Sequence, residues 1–175
     1  IQTLAAMKMA VLNKLLEQRA YTDTHTGLPN KSACEELLNN KETVGKHTAC
    51  IMFDLNNLKI INDTKGHLMG DQLILNFARL LRNVIPQKDF VGRYGGDEFM
   101  AVIYNTSKTE IEDILKQLSR EKDRLNSSGN NMPIDYACGW AISDADSECT
   151  IQMLLDKADY YMYENKQAYK KSKKS

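Results

Sequence analysis

Two neighbouring carboxylates follow a pair of glycines near the middle of the chain. Asp97 and Glu98 come directly after Gly95 and Gly96, and apolar, strand-like segments flank these four residues on both sides. Two glycines between such segments are typical of a β-hairpin, because both can take positive φ and match the twist of the strands. We therefore predict that Asp97 and Glu98 project from the tip of a rigid hairpin.

A third carboxylate ends another apolar segment. Asp54 follows the apolar run at 49–53 and precedes the polar stretch at 56–59. Two strand ends that carry carboxylates suit divalent metal chemistry on a phosphate ester, because Mg²⁺ prefers hard oxygen ligands and keeps positions open for substrate phosphates. The alternative is that the three acids are turn and cap residues without a chemical role.

The composition limits the classes of protein to which the chain can belong. Its 175 residues, 42% of them hydrophobic, suit one domain with a single core. The formal net charge is zero, so no global positive field attracts nucleic acid, and we expect no nucleic-acid partner. The apolar runs are too short to span a bilayer, and the four cysteines, which show no C-x-x-C spacing, favour a reduced, cytosolic protein.

Hydrophobic periodicity predicts strands and helices in irregular alternation. Besides the hairpin, strands are expected over 48–55 and 134–142, and helices over 32–39, 71–85, 108–125 and from 151 onward. Ser32 and Glu35 resemble a capping box at the start of the first of these helices. This irregular order argues against a uniform β-α-β repeat, so we predict an α+β fold with a mostly antiparallel central sheet flanked by helices.

The first twenty residues contain good helix formers and neither Gly nor Pro. Their apolar stripe consists of Leu4, Val11, Leu12, Leu15 and Leu16. Two interpretations stay open, a helix that connects to an upstream domain and a helix packed on its own domain. The start at Ile rather than Met favours a fragment of a longer protein. The predicted division is a connecting helix at 1–20, a domain at 21–170 and a mobile basic tail at 171–175.

Two further expectations concern the C-terminal third of the chain. The last helix is predicted to turn Tyr161 and Met162 inward, on the stripe that its apolar residues form. Ahead of it, Asp144, Asp146 and Glu148 lack the glycine and the distal glutamate of an EF-hand. A solvated loop is therefore predicted there.

Several motifs in one order and spacing resemble the GGDEF domain, the catalytic module of bacterial diguanylate cyclases. The matching residues are Asp23-Thr24-His25-Thr26-Gly27-Leu28-Pro29-Asn30, Phe53 to Lys59, Asn62-Asp63 with Gly66-His67 and Gly70-Asp71, Gly95 to Phe99, and Ala158-Asp159 with Tyr163 and Lys166. The resemblance extends over about 21–170. His25 departs from the leucine that is usual in the first of these motifs.

The resemblance implies a fold, a reaction and partners. The fold is similar to the palm of polymerases and class III nucleotide cyclases. The reaction joins two GTP molecules into cyclic di-GMP and releases two pyrophosphates, and each 3′-hydroxyl attacks the α-phosphate of the GTP on a facing domain. The implied partners are GTP, a second GGDEF domain in a homodimer, and an upstream sensory or transmembrane domain. The implied location is the cytoplasm, with or without a tether to the inner face of the membrane.

The resemblance also implies roles for the acids. Asp54, Asp97, Glu98 and the carbonyl of Leu55 correspond to the ligands of two Mg²⁺ ions per active site, with Mn²⁺ as the alternative metal. Glu98 is in addition the candidate general base for the 3′-hydroxyl. Lys59 corresponds to a residue that stabilises charge on the transferring group.

A further set of residues is implied to bind GTP. These are Asn62, His67, Asp71, Gly95, Gly96, Lys166 and Lys170. Asn62 and Asp71 correspond to the pair that reads guanine, with Asp71 accepting from N1–H and the exocyclic amine, donors that adenine lacks. The glycines let the backbone approach the α-phosphate, and the lysines reach the β- and γ-phosphates.

Alternatives stay open for several of these residues. Asp71 also suits a helix N-terminus, where its charge stabilises the dipole. A structural role at the start of a helix fits His67 as well as a pocket role does. Lys166 and Lys170 could simply be exposed to solvent, and Lys170 stands where the family often has arginine.

Two other functions also stay open. One is a non-catalytic nucleotide-binding or dimerisation module, because Leu58 and the residue at 25 depart from the family pattern and Pro86 replaces the arginine of its R-x-x-D product site. The other is a cyclase that uses ATP as well as GTP. The retained acids at the hairpin favour an active diguanylate cyclase over both.

Overall fold

A four-stranded antiparallel sheet lies at the centre of the computed structural model, which describes residues 2–45, 47–129, 132–143 and 148–172. Its strands, in the spatial order β2-β3-β1-β4, are β1 (Ala49–Leu55), β2 (Phe90–Arg93), β3 (Glu98–Ile103) and β4 (Tyr136–Ile142). The helices of these residues are α1 (Gln2–Tyr21), α2 (Lys31–Asn39), α3 (Leu58–Lys65), α4 (His67–Val84), α5 (Lys108–Ser127) and α6 (Ile151–Ser172). The predicted α+β fold with a mostly antiparallel central sheet is confirmed.

The sheet is covered by helices on both faces. Successive side chains of a strand point to opposite faces, so Phe53 packs with α4 and α5 while Met52 packs with α2 and α6. On the first face, the ring of Phe77 lies edge-on to Phe53 and Phe99, at centroid distances of 6.1 and 5.1 Å. The apolar run of β1 is therefore continuous because both of its faces are buried.

Helix α6 packs directly against β4. An added Cβ on Gly139 would lie 2.1 Å from the backbone nitrogen of Met162 and 2.3 Å from the carbonyl oxygen of Ala158. Only glycine leaves room for such an approach between a strand and a helix backbone. The contact fixes the distance of α6 from the sheet.

Three local predictions are wrong in detail. Gly95 and Gly96 do connect β2 to β3, but neither has positive φ, because the connection spans residues 94–97 instead of a two-residue turn. The N-cap of α2 is Asn30, whose side chain accepts from the N–H of Ala33, and not Ser32. Tyr161 is exposed, whereas Met162 is buried as predicted.

The predicted apolar stripe of α1 is more than half exposed at every position. The helix therefore does not pack its stripe on the described part of the chain. Its role as a connection, and the proposed division into segments, stay predictions. Asp144, Asp146 and residues 173–175 of the tail lie outside the described residues. Among the helices that are described, none has both the length and the apolarity to cross a membrane.

Candidate functional site

The pairing of β1 with β3 brings the three acidic residues to one edge of the sheet. Asp54 lies opposite Glu98 in the antiparallel register. One residue further, the N–H of Leu55 donates to the carbonyl oxygen of Asp97 at 2.8 Å, which fixes the hairpin tip to the end of β1. Residues more than 40 positions apart in sequence thus become neighbours through the ladder of backbone hydrogen bonds.

Asp54 has one satisfied oxygen and one unsatisfied oxygen. Lys166 of α6 donates to Oδ2 at 2.7 Å, whereas the buried Oδ1 has no hydrogen-bond partner among the described residues. The side chain is only 15% exposed, so water does not readily replace the missing partner. An unsatisfied buried acceptor costs about 1–3 kcal/mol, which a bound cation or donor would recover.

Glu98 lies in a partly buried and strongly acidic environment. Burial raises the pKa of its carboxyl group, and the negative charges of Asp97, Asp54 and Asp159 raise it further. The positive charge of Lys166 lowers this pKa but does not cancel the increase. Both kinds of effect disfavour the ionised form, because solvent is lost and like charges are close. The group is thereby made a better proton acceptor than an ordinary surface carboxylate.

A cavity of about 450 Å³ opens beside Asp54; we call it the β1–α3 cavity. Its lining residues are Asp54, Leu55, Asn56, Asn57, Leu58, Lys59, Ile60, Asp97, Asp135, Lys166, Tyr169 and Lys170. Asn57 takes a left-handed conformation at φ 66° and turns the chain sharply from β1 into α3 without a side-chain cap. The first N–H groups of α3 thus have no N-cap side chain, and a helix N-terminus in this state attracts anions.

The charges of the β1–α3 cavity are mixed. Lys59, Lys166 and Lys170 line it together with three aspartates. A highly charged anion such as a triphosphate fits this lining only if cations accompany it near the aspartates. The lysines and the start of α3 then stabilise the part of the anion away from those acids.

The chemistry of the carboxylates suits a Mg²⁺-like ion. In the described part of the chain, no three Asp, Glu, His or Cys side chains converge closely enough to enclose a metal on their own. Mg²⁺ does not need such an enclosure, since it is commonly held by one or two carboxylates plus substrate phosphates. The unpartnered oxygen of Asp54, beside Asp97, provides hard oxygen of that kind.

Several predicted site residues lie outside the β1–α3 cavity. Asn62 and Asp71 belong to α3 and α4, and Oδ1 of Asn62 lies only 1.9 Å from the position that a Cβ on Gly70 would take. His67 is the first residue of α4, so both interpretations of it stay open. Gly70 is thus the residue whose missing side chain makes room for the amide of Asn62.

The two hairpin glycines differ in their surroundings. A Cβ on Gly95 would meet Oε2 of Glu98 at 2.7 Å, whereas one on Gly96 would have no atom within 4 Å. Gly95 therefore accommodates the Glu98 side chain. The backbone of Gly96 is therefore open on that side. This agrees with the prediction that the glycines let the backbone approach the α-phosphate of GTP.

Arg93 was not among the predicted residues, although it holds the hairpin tip. Its Nη2 donates to the carbonyl oxygen of Gly96 at 2.8 Å, and its Nη1 lies 3.3 Å from both oxygens of Asp23. Burial alone would raise the pKa of Asp23, but hydrogen bonds from Thr26 and the charge of Arg93 outweigh it and leave that pKa below its usual value. The hairpin is thus fastened to the loop that follows α1.

Asp135 and Tyr169 were also missed. Asp135 Oδ2 accepts from Asn56 at 3.2 Å and from the Tyr169 hydroxyl at 3.4 Å, and its carbonyl oxygen accepts from the N–H of Asn56 at 2.8 Å. These bonds hold the turn between β1 and α3 against the start of β4. A signal in the sequence was the presence of an acid near the start of the predicted strand at 134–142, but only the strand pairing places it at the cavity.

The family model described as "Diguanylate cyclase, GGDEF domain" matches residues 20–172. The chain is similar to the signaling protein YkoW of Bacillus subtilis, with 32% identity over 164 residues that cover 90% of this chain and 20% of YkoW. It is also similar to the diguanylate cyclase DgcP of Pseudomonas aeruginosa, with 30% identity over 156 residues that cover 86% of this chain and 23% of DgcP. Proteins named cyclic di-GMP phosphodiesterases match as well.

Among solved structures, the coiled coil and GGDEF domain of DgcB from Caulobacter crescentus, crystallised with c-di-GMP, has the same fold. The TM-score is 0.81 at 22% identity, and the match covers 95% of this chain and 91% of that one. At such identity the likeness concerns the fold. The chain spans less than a quarter of the length of YkoW and of DgcP.

Proposed function

The chain belongs to the diguanylate cyclase GGDEF domain family, and we propose that it is an active cyclase that condenses two GTP molecules into cyclic di-GMP and two pyrophosphates. The observation that carries the proposal is the meeting of Asp54, Asp97 and Glu98 at one sheet edge, beside a cavity lined by lysines. Lys166, which pairs with Asp54 at 2.7 Å, lies at the same edge.

The triphosphate is proposed to occupy the β1–α3 cavity. Asp54, Asp97 and the carbonyl of Leu55 would hold divalent cations, Mg²⁺ or Mn²⁺, two per site. When bound, these cations offset the triphosphate charge and polarise the α-phosphate. Lys59, Lys166 and the N–H groups at the start of α3 bind the phosphates, and Lys170 extends the positive lining. Lys166 leaves Asp54 for the phosphates when the nucleotide enters.

Glu98 is proposed as the general base. It takes the proton of a 3′-hydroxyl as that oxygen bonds to the α-phosphorus of the facing GTP, and the bond from phosphorus to pyrophosphate breaks. In a second such step, the 3′-oxygen of the other nucleotide bonds to the remaining α-phosphorus. The second pyrophosphate leaves, and the ring closes. The raised pKa of Glu98 supports this role, because a base with a higher pKa accepts the proton more readily.

Guanine is proposed to bind Asn62 and Asp71, with His67 nearby at the start of α4. Asp71 accepts from N1–H and the exocyclic amine, and Asn62 bonds the remaining polar atoms. Since adenine has no matching donors, GTP is preferred over ATP. Asp71 is exposed, as a residue that meets a ligand from solvent must be.

Gly70→Ala is expected to raise the KM for GTP about tenfold, which corresponds to about 1.4 kcal/mol. The new methyl group would take the place of Oδ1 of Asn62 and turn the amide away from guanine. Alanine favours a helix by about 1 kcal/mol over glycine, so α4 should remain stable. Steady-state kinetics checks the result, with Gly45→Ala as control because a Cβ there meets no atom within 4 Å. An unchanged KM would exclude Asn62 from guanine binding.

Catalysis is proposed to require a second copy of the domain, since the two reacting nucleotides lie on facing domains. The exposed apolar stripe of α1 suits a helical contact between two copies. An upstream sensory or transmembrane domain is proposed to control that contact, with the domain itself acting on cytoplasmic GTP.

Product formation from GTP and Mg²⁺ tests the proposal. Wild-type protein is expected to form cyclic di-GMP at a rate per subunit that rises with protein concentration until dimers are complete. Asp97→Ala and removal of metal by EDTA are each expected to reduce the rate by about a hundredfold or more. GTP binding without product, with Asp97→Ala indistinguishable from wild type, would favour the non-catalytic module instead.

A further inference from the structure

A second cleft, of about 470 Å³, is also lined by Asp54 and Lys166; we call it the α6 cleft. Its lining residues are Asp54, Glu98, Asp156, Asp159, Tyr160, Met162, Tyr163, Lys166, Gln167 and Lys170. The α6 members from Asp156 onward recur mainly at three- and four-residue intervals, so one face of that helix forms the wall. The α6 cleft and the β1–α3 cavity share three lining residues, Asp54, Lys166 and Lys170, and therefore lie next to each other.

Charge distinguishes the two spaces. The β1–α3 cavity contains Lys59 and the start of α3, whereas the α6 cleft contains Glu98, Asp156 and Asp159 in addition to the shared lysines. These three carboxylates repel phosphate groups. The α6 cleft therefore suits an uncharged group that offers hydrogen-bond donors, and it does not suit a second triphosphate.

The side chains of the α6 cleft are available to a ligand. Tyr160 and Tyr163 are 61% and 55% exposed, and their rings offer apolar surface beside the acids. Asp156 already accepts from Gln152 at 2.7 Å, but Asp159 has no hydrogen bond or ion pair within the described residues. Asp159 lines the same cleft as Glu98. An unengaged acceptor thus lies beside the candidate base.

We propose that the α6 cleft receives the ribose of the GTP held by a second copy of this chain, with Asp159 accepting a hydrogen bond from a sugar hydroxyl and Tyr163 packing on the sugar. This inference rests on the proposed cyclase function. Glu98 lines the α6 cleft and not the β1–α3 cavity, so a sugar hydroxyl that gives its proton to this candidate base must lie in the α6 cleft. The phosphates of that nucleotide stay on the domain that holds it.

The chemical step follows from this placement. The 3′-oxygen of the incoming sugar loses its proton to Glu98 and bonds to the α-phosphorus of the GTP in the β1–α3 cavity, and pyrophosphate leaves. Asp159 only orients the sugar and receives no proton. Loss of Asp159 should therefore reduce turnover while leaving the binding of GTP by a single domain intact.

Asp159→Asn tests the inference, with Glu164→Gln as the matched control. Glu164 is an exposed carboxylate of the same helix and lines neither space. At saturating GTP and protein concentration, kcat of Asp159→Asn is expected to fall about tenfold or more, and that of Glu164→Gln to stay unchanged. The affinity of each variant for α,β-methylene-GTP, a probe that cannot be cleaved, is expected to equal that of wild type. Tyr163→Ala should likewise lower kcat and leave the affinity for α,β-methylene-GTP unchanged.

Each other result has a defined meaning. An active wild type with kcat unchanged or raised in Asp159→Asn would overturn the inference and leave the cyclase function in place. A parallel loss of kcat and of α,β-methylene-GTP affinity would also overturn it, because Asp159 would then act on the domain's own nucleotide. A wild type that forms no product would remove the proposed function and the inference together.

Discussion

Asp54→Asn is expected to reduce cyclic di-GMP formation by about a hundredfold or more while leaving the fold intact. The substitution removes the charge of a residue whose Oδ1 has no partner and whose Oδ2 binds Lys166. The side chain of Lys166 is 27% exposed and can reach water when the ion pair is lost. Because the pair is largely buried, the free energy of unfolding should fall by about 1–3 kcal/mol, and the domain should stay folded. Product assays and chemical denaturation measure the two quantities.

Asp113→Asn is the control for this experiment. Asp113 is an exposed carboxylate of α5 that pairs with Lys116 at 3.4 Å, away from both cavities. Its loss should change neither activity nor stability to a measurable extent. A rate for Asp54→Asn close to that of wild type would contradict a role for Asp54 in holding the cation.

Gly139→Val is expected to lower the free energy of unfolding by about 3 kcal/mol or more. The new side chain would meet the backbone of α6 at Met162 and Ala158, and a helix backbone cannot rotate aside as a flexible side chain can. The helix must move away from β4, and it carries Lys166 with it. Urea denaturation followed by circular dichroism gives the change in stability.

Gly45→Ala separates a general cost of replacing glycine from this specific contact. A Cβ at that position would meet no atom within 4 Å, so the expected change is within about 0.5 kcal/mol. Stability of Gly139→Val equal to that of wild type would mean that α6 does not pack on β4 at this distance.

The elements that carry the acids could be predicted because local signals determine them. The apolar run of β1 ends at Asp54, and the predicted range of 48–55 differs from the observed strand by a single residue. The hairpin was predicted from Gly95 and Gly96, although the connection is longer than expected. Both features depend on neighbouring residues, for which pattern and propensity are informative.

The partners of these residues could not be predicted in the same way. Asp135 reaches the cavity only because β4 pairs with β1, a pairing over some eighty positions that the local pattern does not specify. In the sequence, Arg93 is indistinguishable from an ordinary strand residue. Only the fold places the carbonyl oxygen of Gly96 and the side chain of Asp23 beside it. Tyr161 was placed inward by periodicity, but α6 buries a narrower face than its apolar residues suggest.

The position of β1 in the sheet has a consequence for how such a domain can be switched. β1 is an interior strand, hydrogen-bonded on both edges and covered on both faces, so Asp54 extends from a tightly constrained part of the domain. A signal that bent this strand would disrupt the entire core. We therefore expect that the proposed activity is switched through the relative orientation of whole domains and not through distortion inside either of them.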